Sequence, residues 1–149
     1  MIAQKQGDYP EARRLYAQSL DIVERLGDQA GRATTLHQLG TIARDQGDYP
    51  EARRLYAQSL DIKERLGDQG GRAATLHQLG MLAYVQEDYE HALVYTIQAY
   101  LLFDFLHAPE RELTQRLLAR IYKHLDEATF TTHWHTLAGD HPLPPLVHE

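Results

Sequence analysis

Residues 46–85 read QGDYPEARRLYAQSLDIKERLGDQGGRAATLHQLGMLAYV, and residues 6–45 read QGDYPEARRLYAQSLDIVERLGDQAGRATTLHQLGTIARD. The two stretches differ only at Val23/Lys63, Ala30/Gly70, Thr34/Ala74, Thr41/Met81, Ile42/Leu82, Arg44/Tyr84 and Asp45/Val85. A third, worn copy follows from Gln86. A fixed period of this length is the signature of a stacked repeat, in which each unit buries its apolar face against its neighbours.

Each unit reads as two helices. In the second copy, Asp48-Tyr49-Pro50-Glu51 is a helix start. Asp48 can cap, Pro50 sits in the first turn where its missing N–H costs nothing, and Glu51 completes a capping box. Ala52, Leu55, Tyr56, Ser59, Leu60 and Leu66 then recur at three- and four-residue spacing, an amphipathic stripe. Gly67 is a stop signal, and Asp68 can cap a second helix carrying Leu76, Leu79, Gly80, Leu82 and Ala83. Small residues recur where the paired helices would cross: Gly40 and Gly80 on one, Ala52 and Ser59 on the other. The pattern predicts helices near 9–26, 29–46, 49–66, 69–86, 89–106, 109–125 and 127–138, with an irregular Pro-rich tail from 139 to 149.

These residues resemble the tetratricopeptide repeat, whose pattern is W-x-x-L-G-x-x-Y followed by G-x-Y-x-x-A-x-x-x-Y. Here it stands as Leu36-x-x-Leu39-Gly40-x-x-Ala43, then Gly47-x-Tyr49-x-x-Ala52-x-x-x-Tyr56; the next copy has Leu76, Leu79-Gly80, Ala83, Tyr89 and Ala92, and the third has Leu118-Ala119-x-x-Tyr122. Leu replaces the usual Trp, the terminal Pro is absent, and the period is longer than the family's ordinary one. The long form is similar to repeats of kinesin light chains and of the sensor arms of bacterial signalling ATPases. The resemblance implies an all-α right-handed superhelical solenoid of antiparallel helix pairs. Its expected divisions are a half-repeat 1–27, repeats 28–67, 68–107 and 108–138, and the tail, all in one domain.

The family resemblance also implies a concave groove lined by the first helix of each pair. On that face the first copy places Thr34, His37, Thr41 and Arg44, the second His77, Met81 and Tyr84, and the third Arg116, Arg120 and Lys123, with Leu113 and His124 beside them. Three of the four positions on the first helix change between the near-identical copies, either because the groove is specialised or because the second copy adapts to its divergent neighbour. An apolar middle with basic residues at one end suits an acidic peptide or a C-terminal carboxylate, which Arg can grip with two parallel hydrogen bonds. A solvated basic helix face is the plainer alternative.

The third unit departs in one further way. Where the second copy has Arg53, Arg54, Asp61, Lys63 and Arg65, it has Leu93, Val94, Leu101, Phe103 and Phe105. Val94, Ile97, Leu101 and Phe105 form an extra apolar stripe, and a helix apolar all round is buried on both sides. Its cover is either the chain's own end (Phe130, Trp134, Leu143, Leu146, Val147) or a second molecule. The start of the sequence poses a similar question. Met1-Ile2-Ala3 aligns with Thr41-Ile42-Ala43, so the helix bearing Leu15 and Tyr16 lacks its natural partner. Either the sequence is a piece of a longer array, or a homodimer or swapped pair covers the edge.

Composition narrows the function classes. The formal net charge of -6 argues against general nucleic-acid binding. There is no cysteine, no signal-peptide segment and no apolar run long enough to span a membrane, so the expected compartment is the cytoplasm. The only serines, Ser19 and Ser59, hold equivalent small-residue packing positions. No phosphate-binding glycine motif or paired-carboxylate pocket occurs, and the histidines lack metal-ligand spacing. The expectation is therefore a non-catalytic interaction scaffold with no cofactor and no metal. Its partner is a protein or peptide held in the groove; the alternative is a self-associating assembly element using Leu15, Tyr16, Val94, Ile97, Leu101 and Phe105.

Overall fold

The computed structural model describes residues 9–146. Among them are seven helices and no strand: α1 (Tyr9–Leu26), α2 (Gln29–Asp45), α3 (Tyr49–Leu66), α4 (Gln69–Val85), α5 (Tyr89–Phe105), α6 (Arg111–Tyr122) and α7 (Glu127–Ala138). The chain divides into two compact units, residues 1–68 and 69–149. Met1-Ile2-Ala3 and Val147, which entered the arguments about the two ends, lie outside the described residues.

The helix ends are set by the expected chemistry. Asp28, Asp48, Asp88 and Asp126 each accept a bond from the backbone N–H three residues on, satisfying a donor that the first helical turn leaves unpaired. At Asp48 the capping box is only half formed. The Asp48 N–H donates to the Ala43 carbonyl at 2.8 Å, closing the previous helix, and the Glu51 carboxylate is held by Arg54 at 2.7 and 2.8 Å instead. Gly67 ends α3 in the left-handed region, φ 72°, as a glycine readily does.

The third unit repeats this geometry without the glycines. Glu87 (φ 62°) and His107 (φ 54°) occupy the positions of Gly47 and Gly67 and carry side chains in the left-handed region. The last first-helix is also shorter than its pattern predicts, starting at Arg111 and stopping at Tyr122 rather than running 109–125. Its N-terminus has no side-chain cap and is wound by tighter three-residue turns, Arg111 to Ala108 and Glu112 to Pro109.

In the first unit, α2 packs between α1 and α3. Gly40 lies against the ring of Tyr56; a Cβ there would sit 2.9 Å from Tyr56 Cδ1. Ser59 is buried and donates to the Ala33 carbonyl at 2.7 Å, so it is both small and bonded. In the second unit, α4 packs along α5, and α5 is held by α6 and α7. Its core gathers Leu93, Ile97 and Tyr100 with Leu117, Leu118, Ile121, Phe130 and Trp134.

The chain's own end covers most of the extra stripe on α5. Ile97 is fully buried, and Leu101 packs partly buried on the same core with Leu137 and Leu146. Phe105 stays 69% exposed, and Leu143 is largely exposed too. Polar bonds pin the tail over this core. Trp134 Nε1 donates to the His141 carbonyl at 3.0 Å, His141 Nε2 meets Asp104 at 2.9 Å, and Gln115 donates to the Pro145 carbonyl at 2.9 Å.

Candidate functional site

The residues expected on the binding face fall on three helices, one in the first unit and two in the second. On α2, Thr34 is exposed but spends its hydroxyl on the Ala30 carbonyl at 3.1 Å. His37 is half-buried with its ring 5.1 Å from that of Tyr56. Burial, reinforced by the positive charges of Lys63 and Arg44, pushes its pKa down to about 4, so it is neutral near pH 7. Thr41 Oγ1 donates to the His37 carbonyl at 3.2 Å and meets the Tyr56 hydroxyl at 2.8 Å, so the phenol donates to it. Arg44 pairs with Asp45 at 3.1 Å. This face is thus largely committed to internal bonds.

The second unit is built differently. On α4, His77 is half-buried; desolvation lowers its pKa, and its Nδ1 is buried without a protein partner. Met81 is exposed. Tyr84 sets its ring edge toward Tyr89 of α5 and His124 just beyond α6, both centroids 5.7 Å away. Tyr89 and His124 stack at 4.2 Å with an interplanar angle of 4°. On the α6 side it is His124, next to Lys123, that meets the Tyr84 ring.

Along α6, Arg116, Arg120 and Lys123 are exposed and make no ion pair among the described residues. Four- and three-residue spacing brings them to one side of the helix. By contrast, Arg14, Arg25, Arg54 and Arg65 each pair with a carboxylate of their own helix, and Arg111 pairs with Asp104 across helices. Leu113, also exposed, extends the α6 row.

The residues put forward for self-association are mostly occupied. Tyr16 is buried with Ala12 and Ile42, and Ile97 lies in the core of the second unit, so neither side chain is on offer to another molecule. Leu15 and Val94 are half-buried and Leu101 is packed on the core; only Phe105 is broadly exposed. Among the described residues no three His, Asp or Glu side chains come together as metal ligands, and no helix is long and apolar enough to cross a membrane.

Two features were not read from the sequence. One is the Tyr89–His124 stack. The other is a linked change: Thr41 becomes Met81 where Tyr56 becomes Thr96, which removes both members of a hydrogen bond together.

The helix pairs and their small-residue crossings are similar to those of tetratricopeptide repeats, and the tetratricopeptide repeat family model matches residues 1–65. Solved structures extend the likeness over the rest of the fold. BtubC (BKLC) from P. vanneervenii superposes with a TM-score of 0.73 at 22% identity, over 96% of this chain and 63% of that one. A protein of Podosopora anserina, described as a kinesin light chain with nearly identical TPR-like repeats, superposes at 0.71 with 21% identity, over 90% of this chain and 66% of that one. The chain therefore spans just under two thirds of the length of these neighbours. No curated protein matches the sequence.

Proposed function

We propose that this protein is a non-catalytic interaction scaffold, and that the α4 and α6 faces of its second unit bind an acidic peptide or a peptide's terminal carboxylate. Three unpaired cations on one face of α6, in a chain of net charge -6, carry this reading. A cation with no internal partner keeps its full capacity for an external one. Arg116 and Arg120 offer planar forks suited to carboxylates, and Lys123 adds a point charge. Met81 and the Tyr84–Tyr89–His124 cluster supply the apolar and aromatic contact that gives such a site affinity beyond charge. The α2 face contributes less charge, because Arg44 is already paired with Asp45. No second reading has a comparable observation behind it.

The test is fluorescence anisotropy with a labelled acidic peptide having a free C-terminus, its C-terminal amide, and a basic peptide as control. Charge-assisted bonds contribute about 1.5–3 kcal/mol each. Arg116→Glu with Arg120→Glu should therefore weaken binding of the acidic peptide more than tenfold while leaving helicity and melting unchanged. Affinity should also fall as salt is raised. Loss of affinity on amidation alone would identify the terminal carboxylate as the recognised group. An acidic peptide that does not bind, or that binds the double variant equally well, would overturn the proposal.

A further inference from the structure

Residues 141–146 read HPLPPL, and proline chemistry favours one backbone form for this stretch. Pro142, Pro144 and Pro145 have φ fixed at about −65°, and His141, Leu143 and Pro144 each precede a proline, which disfavours the helical region. All six residues lie outside helix and strand with negative φ. The result is a polyproline II segment. Such a segment has no internal hydrogen bonds, and its prolines carry no N–H, so it offers a receptor apolar ring faces and carbonyl oxygens. A receptor for it is therefore built from aromatic side chains and side-chain N–H donors.

The α6–α7 surface of the second unit has those parts. Trp134 Nε1 donates to the His141 carbonyl at 3.0 Å, and Gln115 Nε2 to the Pro145 carbonyl at 2.9 Å. Tyr122 and Phe130 meet edge to face with centroids 5.0 Å apart. Pro144 is buried and Leu146 packs on the core, while Pro142 and Pro145, one turn apart, are exposed. Both carbonyl bonds are blind to the side chains of the segment, so another proline-rich chain satisfies them equally well. The tail also leaves the site partly filled. A cleft of about 220 Å³ lies between Leu143 and Leu146 of the tail and Tyr122, Glu127, Phe130 and Thr131. Protein interiors are close-packed, with few voids larger than a water, and a segment serving only to cover the core would fill this one.

We propose that the α6–α7 surface is a binding site for a proline-rich partner segment in the polyproline II form, and that residues 141–146 are its resident occupant. The favoured ligand repeats the Pro-x-Pro-Pro of the tail and places a side chain larger than leucine at the position of Leu143, where the cleft has room. The site makes no use of Arg116, Arg120 or Lys123, so it stands or falls separately from the acidic-peptide reading.

The probe is a labelled peptide of residues 141–147, capped at both ends and free of acidic groups, titrated into the full chain. The readouts are its anisotropy and the emission of Trp134, the sole tryptophan. The tethered tail competes at an effective concentration on the order of millimolar, so the native peptide should bind the unaltered chain weakly. A peptide carrying Leu143→Phe should bind at least tenfold tighter by filling the cleft. Pro144→Asp in the chain loosens the resident tail; it should shift Trp134 emission to longer wavelength and tighten peptide binding at least tenfold, with the original emission restored at saturation. A melting curve checks the fold of that variant, and the Leu143→Phe titration needs no altered protein. A peptide carrying Pro142→Ala, Pro144→Ala and Pro145→Ala should bind at least tenfold more weakly, and Arg116→Glu with Arg120→Glu in the chain should leave binding unchanged. No saturable binding of the Leu143→Phe peptide, a folded Pro144→Asp chain that gains no affinity, equal binding of the alanine peptide, or loss of binding in the α6 double variant would each overturn the proposal.

Discussion

The same substitution made twice in one chain isolates the contribution of burial. Ile62→Ala and Ile22→Ala remove the same atoms from helices that are otherwise nearly identical, 1% exposed in one case and 57% in the other. At roughly 0.8 kcal/mol per buried CH2, losing three carbons at position 62 costs about 2.4 kcal/mol in transfer alone. The cavity left behind adds to that, giving about 3 kcal/mol, within the usual 2–5 range for such truncations. At position 22, somewhat under half of the transfer cost applies, about 1 kcal/mol, and alanine's better helix propensity returns about 0.4. The expected net cost is therefore near 0.5 kcal/mol. Urea titration followed at 222 nm resolves the difference: at a slope of roughly 2 kcal/mol/M, the Ile62→Ala midpoint should fall by about 1.5 M and the Ile22→Ala midpoint by about 0.3 M. Val23→Lys, which makes the two helices identical, serves as a control and should leave the contrast in place. Equal losses at the two sites would refute the reasoning, because Ile22 would then be as covered in solution as Ile62.

Four further outcomes follow from the geometry. His37 has a pKa of about 4 against 6.5 unperturbed, so the unfolded chain takes up its proton first; stability should fall by roughly 3 kcal/mol as pH drops from 6.5 towards 4, and His37→Phe should flatten that slope in melts across the range. His141 has the opposite sign: its bonds to Asp104 and to the Pro142 carbonyl raise its pKa, so its stabilisation is full below 6.5 and lost as pH rises through the folded value, visible as melting that becomes less pH-sensitive above 6.5 in His141→Gln. Glu87→Gly and His107→Gly should each raise the melting temperature, since relieving a left-handed side chain gains about 1–2 kcal/mol and glycine's extra unfolded freedom takes back 0.5–1. Thr96 Oγ1 is fully buried without a partner, so Thr96→Val should stabilise by roughly 1 kcal/mol in denaturant titration, and a loss would show that the hydroxyl is satisfied in solution.

The fold was legible because capping and periodicity act locally. Asp28, Asp48, Asp88 and Asp126 announce helix starts by the same side-chain bond each time, and α1, α2 and α3 are each followed by a glycine, Gly27, Gly47 and Gly67, whose left-handed backbone needs no context to be foreseen. The reading failed where those signals were missing. The stretch before Arg111 has no capping aspartate, and the chain after Tyr122 has no glycine within the next dozen residues, so α6 lost about half a turn at the start and nearly one at the end. Glu87 and His107 hold glycine's backbone without being glycine, because the surrounding hairpins dictate the turn. The site was legible only as a set of helix faces. Spacing placed Arg116, Arg120 and Lys123 together, but which arginines were already neutralised depended on contacts such as Asp104 with Arg111, seven residues apart across a loop. The Tyr89–His124 stack joins residues thirty-five apart and leaves no periodic trace.

The divergence of the third unit is best understood as a relocation of charge. In α1 and α3 the cations are spent where they stand, Arg14 on Glu11, Arg25 on Asp21, Arg54 on Glu51 and Arg65 on Asp61. Exposed pairs of this kind add little stability, but they cancel the local field. In α5 the positions of Arg53, Arg54, Lys63 and Arg65 become Leu93, Val94, Phe103 and Phe105, and most of the resulting surface is covered by α7 and the pinned tail. Positive charge returns one helix later on α6, where Arg116, Arg120 and Lys123 make no ion pair among the described residues. A change that merely accommodated the tail would account for α5 and would leave α6 free to keep the paired pattern of the other helices. On the proposed function, that α6 does not keep it is why the unpaired row, rather than the duplicated scaffold, is where a partner's negative charge would have most to gain.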